Sequence, residues 1–455
     1  MESPTSHLPF VPANSDLPVA PVGPAASTTE SYYNGRVPSN RRKPVQNPAI
    51  SRRELLRTSA VSIATLCCEQ SAFSQANAVV PEFDLLLTGA RVMDPAKGLD
   101  RTADVAIGAG KIAAIAPSIA PERAARVIPV RGCLLTPGLI DIHVHGFRGV
   151  SHAGVELDTY CIGRGVTTAV DAGTSGADSF AGFRRHVIAP ASTRILAFLN
   201  ISRIGLISPL GELVDRRMID REAALRACRE HADAIVGIKV RCTHFYSGPN
   251  DLEAVQAARA VGEAIGKPLM VHTGWPHTPF ERLLEELRAG DIVTHAFRGA
   301  GEGGVIGPDG RVSSAVRRAA KRGVLFDVGH GSGSFSFQAV EAALREDFPP
   351  SSISSDIHAS SVLGPVFDMV TTMSKLLMLG LPLASVIERS TALPARSIQR
   401  GHLLGSLEPG RAADITVLQL VSGEFEMTDS KRQVRTATRK LVPILALRDG
   451  KAALE

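Results

Sequence analysis

Two histidines, His143 and His145, stand one residue apart at the end of the apolar stretch GLIDIHVHG, residues 138–146. Residues i and i+2 of a strand share a face about 6.6 Å apart, so two imidazoles so placed can reach one cation through bonds of about 2.0–2.1 Å. Ile142 and Val144 should then face the covering helices. Asp141 shares the parity of the histidines but lies deeper and is expected to be structural. A lone His-x-His is weak evidence, because strands supply it by chance. Four further residues of metal-ligand type end later apolar runs: Lys239 in GIKVR, His272 in LMVHTG, His295 in IVTHAF and Asp356 in SSDIH. Singly, each histidine fits a hydrogen-bonded core residue and Lys239 fits a structural ion pair. Their joint placement, each at a strand end and in order along the chain, points to one metal centre.

Two more residues could meet a substrate. Arg241 lies two positions beyond Lys239 on the same strand face, where its planar fork could hold a carboxylate in bidentate fashion or pair with a neighbouring acid. His330, in DVGHGSGSF, could hydrogen-bond an acyl oxygen or orient a ligand. The glycines around it suggest close backbone approach. Cys242 has the outward parity and is expected in the core.

The elements that must position these groups are eight apolar runs: GLIDIHVH, VTTAVDAG, RILAFLNIS, AIVGIKVR, PLMVHTG, DIVTHAF, VLFDVGHG and SISSDIH. Between several of them lie segments with apolar residues at three and four spacing: DREAALRACREHA, DLEAVQAARAVGEAIG, PFERLLEELRAG and SSAVRRAAKRG. Alternating strands and helices predict an α/β fold, a (β/α)8 TIM-like barrel over residues 137–400, whose catalytic groups belong at the carboxyl-terminal rim. Continuously apolar strands suit a parallel sheet buried on both faces. A doubly wound open sheet ranks lower, because no phosphate-binding glycine loop follows a strand. Short Gly- and Pro-punctuated β runs at residues 79–136 and 401–455 predict a small β-sandwich domain built from both ends of the chain.

The 455 residues are 44% hydrophobic and 21% charged, with a net charge of +5. Residues 1–78 carry 7 Lys and Arg against 5 Asp and Glu, leaving 43 against 40 in the remainder. That balance, with only 5% aromatic residues, argues against nucleic acid as a partner, and the folded part holds no run long enough for a membrane span. Residues 1–50, rich in Pro, Ser and Asn, are expected to be a disordered extension. Residues 51–78 hold SRRELLR, a modest apolar run and Ala76-Asn77-Ala78, a pattern like a twin-arginine export signal, so the expected location is periplasmic, or else cytoplasmic. Cys67 and Cys68 would leave with that signal. Cys133, Cys161, Cys228 and Cys242 show neither zinc-knuckle nor disulfide spacing.

The order of the candidate ligands resembles the amidohydrolase superfamily of metal-dependent hydrolases, with two His on strand one, Lys on four, His on five and six, and Asp on eight. TPGLIDIHVH and GSLEPGRAADITVL resemble that family at both ends of the barrel, over roughly residues 82–455. GVTTAVDAGTSGAD, GIKVR and LFDVGHGSGSFSF look most like its dihydroorotase-related amidohydrolase/deacetylase branch. The resemblance implies that His143 and His145 hold the more buried of two divalent ions, taken as Zn2+, and that His272 and His295 hold the second. It further implies that Lys239, carboxylated by CO2 to N6-carboxylysine, bridges them and that Asp356 completes the buried site and carries the proton. An ammonium cannot ligate a cation, whereas a carbamate offers two anionic oxygens. Only about 0.04% of an exposed lysine is neutral at pH 7, so burial and metals must pull that equilibrium.

Two divalent ions against a carbamate, Asp356 and a bridging hydroxide leave one positive charge to polarise a carbonyl. The implied enzyme is a binuclear amidohydrolase of deacetylase or esterase type, acting on carbon–nitrogen bonds other than peptide bonds. Its substrate is a small molecule: an acyl amide or ester of a small carboxylic acid, such as an N-acyl-D-amino acid or an acyl-α-hydroxy acid, attacked by the bridging hydroxide. The alternatives are a cyclic-amide hydrolase of dihydroorotase or hydantoinase type, or a non-catalytic barrel relative. A homo-oligomer is compatible with either.

Overall fold

The computed structural model describes residues 81–452. The extension expected at 1–50 and the export signal at 51–78 lie outside the described residues.

Seven parallel strands form the central sheet: β6 (Leu139–Val144), β7 (Val166–Gly176), β8 (Arg194–Asn200), β9 (Ile235–Cys242), β10 (Leu269–Thr273), β11 (Ile292–Thr294) and β12 (Leu325–Phe326), in spatial order of sequence. Every residue of β6, β7 and β9 is buried, as strands covered on both faces require. Residues 352–357 close the ring. They bridge Asp327 through Ser352 and Val144 through Ile357, both in parallel sense, and His145 N–H donates to Ile357 O at 3.0 Å. The eighth run is thus a bridging segment without a regular ladder. Its serines turn aside to Asp327, with Ser352 and Ser354 hydroxyls 2.6 Å from the two carboxylate oxygens, and Asp356 takes a left-handed φ of 49° that no extended strand allows.

The four helices expected from periodicity are present as Arg221–Glu230, Asp251–Ile265, Phe280–Glu285 and Ser314–Lys321. Asp220 and Ser313 cap the first and last by accepting from Ala223 and Ala315 N–H, which satisfies otherwise idle donors. Apolar side chains of these helices share one core cluster with Val144, Val240, Val271 and Val293. A second cluster takes residues from β6 to β11, including Ile140, Val170, Phe198 and Met270, together with Ala395 and Ile398. It is an inner layer beneath the site. Ile142 belongs to this inner layer and does not face the helices as strand parity predicts. The register breaks between Asp141 and Val144, so alternation restarts just before the two histidines.

The outer sheet joins the two ends of the described residues. It comprises β1 (Phe83–Asp94), β2 (Leu99–Gly108), β3 (Lys111–Ala116), β4 (Ala124–Pro129), β5 (Leu134–Pro137), β13 (Ile415–Thr428), β14 (Val434–Arg448) and β15 (Lys451–Ala452). It is one hydrogen-bonded sheet of eight strands in the order β15-β14-β13-β5-β1-β2-β3, with β4 on β1. Strand β5 makes the splice, pairing parallel to β1 and antiparallel to β13. Its continuation into β6 passes through Gly138, where any Cβ would collide with Thr167 Oγ1, so the two sheets meet at a point only glycine permits.

Candidate active site

The strand ends bring His143, His145, Lys239, His272, His295 and Asp356 together. Asp356 Oδ1 lies 3.3 Å from His143 Nε2 and 3.1 Å from His145 Nε2. Lys239 Nζ is 3.1 Å from the same His143 nitrogen. His295 Nε2 is 3.1 Å from His272 Nδ1 and 3.9 Å from Asp356 Oδ2, so the carboxylate lies between the two histidine pairs. His143, His145 and Asp356 offer donor atoms all within 4.8 Å of one another. A tetrahedron with metal–nitrogen bonds of about 2.05 Å has edges of about 3.3 Å, so the donor spacing fits a divalent cation.

Three of the four imidazoles are aimed through Nδ1. His143 Nδ1 meets Thr294 Oγ1 at 2.8 Å, and that hydroxyl is 2.8 Å from Asp327 Oδ2. His145 Nδ1 meets Thr174 Oγ1 at 2.8 Å, while Thr174 N–H donates to Asp171. His295 Nδ1 is 2.6 Å from Gly329 O. These contacts fix the tautomer that leaves Nε2 free for a metal. His295 and Asp356 have φ of 61° and 49°, a strained conformation of the kind that clusters at functional sites. Any side chain at Gly331 would collide with Asp356 Oδ2, so that glycine admits the carboxylate.

Burial sets the protonation states. It holds His143, His272 and His295 well below the ordinary imidazole range, with Lys239 among the charges that add to the effect. His145 is held down to about 3, again by burial first, with Asp171 opposing. The rings are therefore neutral, as ligands must be. Lys239 is brought down to about 7 by burial against the pull of Asp356. Asp356 is pushed up to about 6 by burial, opposed by His358 and Lys239. Asp141 is raised to about 7 by burial; it accepts N–H bonds from His143 and Ser355 and ties the first strand to the closing segment.

Two predicted substrate contacts are placed otherwise. Arg241 does project inward, but Glu212 fills its fork, accepting from Nε and Nη2 at 2.7 Å each, and the Tyr246 ring covers the guanidinium at 3.5 Å. The acid comes from the loop after β8, 29 residues away. His330 uses Nε2 on Lys375 Nζ at 2.9 Å and Nδ1 on Gly331 O at 2.9 Å, and its ring stacks on Phe335. Both nitrogens thus face groups other than the six converging residues. Cys242 is buried, as parity predicts. The residues that sequence reasoning missed are Thr174, Thr294, Asp171, Asp327, Glu212, His358 and Arg298. Thr294, Arg298 and His358 lie within three residues of His295 or Asp356 and carry that proximity as a signal, whereas Thr174, Asp171, Asp327 and Glu212 are remote in sequence from all six and carry none.

A closed ring of parallel strands with buried imidazoles and a carboxylate at its rim is the framework of a metal-binding hydrolase. Residues 134–453 match the model of the amidohydrolase family, and the chain belongs to that family. A deacetylase from Agrobacterium fabrum is 37% identical to it over 367 residues, covering 80% of this chain and 90% of that protein. The solved structure of an adenine deaminase superimposes with a TM-score of 0.75 at 31% identity, covering 81% of this chain and 99% of its own. That of a dihydroorotase superimposes at 0.74 with 36% identity, covering 81% and 97%. Among the described residues no helix is long and apolar enough to cross a membrane.

Proposed function

We propose that the protein is a binuclear metal-dependent hydrolase that cleaves the acyl amide or ester of a small carboxylic acid, of the N-acyl-D-amino acid or acyl-α-hydroxy acid class. The observation that carries the reading is the convergence of four imidazoles, one amine and one carboxylate, linked in turn by contacts of 3.1 to 3.9 Å. The similarity to a deacetylase over most of both chains favours acyl transfer to water.

In this reading His143, His145 and Asp356 would hold one cation and His272 and His295 a second, with Lys239, as its carbamate, supplying anionic oxygens to the site. Zn2+ suits the imidazole-rich set. The cations would supply Lewis-acid polarisation of the acyl carbonyl and a water acidic enough to attack at neutral pH. Asp356 takes the proton of the attacking water and returns it to the leaving nitrogen or oxygen. His358, its imidazole held below the ordinary range by burial, places Nε2 3.9 Å from Asp356 Oδ2. Thr294 and Thr174 keep the two rim imidazoles in register throughout.

Turnover of N-acetyl-D-amino acids and acetylated α-hydroxy acids by freshly purified protein, with metal quantified in the same sample, tests the proposal. We expect close to two metal ions per chain, hydrolysis of the acyl compounds, and fewer than one metal ion per chain in Lys239→Ala. The likeness to a dihydroorotase structure supports a second reading, a cyclic-amide hydrolase; activity on dihydroorotate alone would establish it in place of the first. A preparation without metal or turnover would mark a non-catalytic relative. We also propose export by the twin-arginine route, on the pattern at residues 51–78, which a mature terminus after Ala78 would confirm.

A further inference from the structure

The substrate of the proposed reaction carries a carboxylate, and Arg241, the cation offered for it by the sequence, is occupied by Glu212. A second guanidinium lies beside the site, three residues past His295. Arg298 is only 4% exposed. Its Nη2 donates to Ser334 Oγ at 2.6 Å, while Nε is buried and has no hydrogen-bond partner among the described residues. Glu302, the carboxylate whose charge bears most on it, is held by Lys431 Nζ at 2.7 Å.

The position is built for this side chain. Gly274 ends the segment that carries His272, and any Cβ there would collide with Arg298 Nη1; one at Gly304 would crowd Arg298 Cγ at 2.9 Å. Neither glycine has a positive φ, so what they supply is space. The half-exposed Trp275 ring lies 5.3 Å from the guanidinium. The charge of Arg298 registers on His272, His295 and Asp356, which places it within electrostatic reach of the reacting centre. Buried charges are ordinarily paired, and an idle buried N–H costs free energy until an acceptor reaches it. A planar fork matches a carboxylate in shape as well as charge.

We propose that Arg298 receives the substrate's carboxylate and makes this site select acyl compounds that carry an anion over neutral ones. This rests on the acyl-hydrolase reading above, and it assigns the specificity-determining cation to the loop after β11 in place of β9.

The test compares wild type, Arg298→Met and Arg298→Lys, as full metal-loaded chains, on N-acetyl-D-amino acids and O-acetyl α-hydroxy acids and on their primary carboxamides. Calorimetric binding of the same compounds is measured alongside turnover. The expected result is that the wild type prefers acid to carboxamide and that Arg298→Met reduces this preference by about 10- to 150-fold, the range of a hydrogen bond to a charged group. Arg298→Lys, which keeps the charge and loses the fork, should retain part of it and carries the test if the Met variant fails to fold. Equal losses for acid and carboxamide would show a merely structural arginine and overturn the proposal, as would an unchanged preference. If the wild type turns over none of these acids the acyl-hydrolase reading fails, and calorimetry still decides on Arg298: weaker binding of the acids by the variants supports its role, and no wild-type binding or an unchanged Kd rejects it.

Discussion

Replacing Glu212 by glutamine should cost the folded state about 3–5 kcal/mol, the range found when one partner of a buried ion pair is removed. Both carboxylate oxygens sit 2.7 Å from Arg241 nitrogens. The two side chains are only 8% and 1% exposed, and the Tyr246 ring seals one face of the guanidinium. Burial alone pulls Arg241 toward neutrality, yet with Glu212 opposing, its proton is held more tightly than in water. A glutamine keeps one acceptor oxygen and loses the charge, which leaves a desolvated cation whose nearest acid is gone. Removing that cation as well, in Glu212→Gln/Arg241→Met, should restore most of the lost stability. Urea unfolding of the four proteins gives the coupling energy through a double-mutant cycle. A cost below about 1 kcal/mol for Glu212→Gln, or no recovery in the double variant, would refute the view that Arg241 is a structural strut and would return it to candidacy as a substrate contact.

Thr294→Val removes the hydroxyl between His143 Nδ1 and Asp327. Competition against a chelator should show zinc affinity lowered about 10- to 100-fold, and an unchanged affinity would mean that the hydroxyl does not orient the ring. The metal-free protein should lose stability in acid. A histidine depressed from 6.5 to about 3 contributes stability that is present above 6.5 and lost as pH falls toward 3, which for His145 is on the order of 3 kcal/mol at pH 4.5. Urea midpoints of the metal-free wild type and His145→Gln at pH 7.5 and 4.5 measure this, and parallel pH dependence in the two proteins would exclude it.

The convergence of the candidate residues was legible in the sequence because strand alternation is a short-range rule. His143 and His145 share a face whatever surrounds them, and Lys239, His272, His295 and Asp356 each end an apolar run. The same rule failed at Ile142, where a register break that depends on the partner strand resets the alternation. Apolar runs marked seven regular strands, but the serines of the eighth run found Asp327 and broke its ladder.

By itself, then, the sequence determined the types of the residues that meet at the strand ends, their order along the chain and the alternation of strands and helices, all of which follow from local spacing. Tertiary structure alone decided who partners whom. Glu212 reaches Arg241 from 29 residues away, Lys375 reaches His330 from 45, and Asp327 stands behind Thr294 and His143. Arg298 is left beside the site with an idle N–H. Charge pairing acts through space, and proximity in space is set by closure of the ring of strands, which no local pattern encodes.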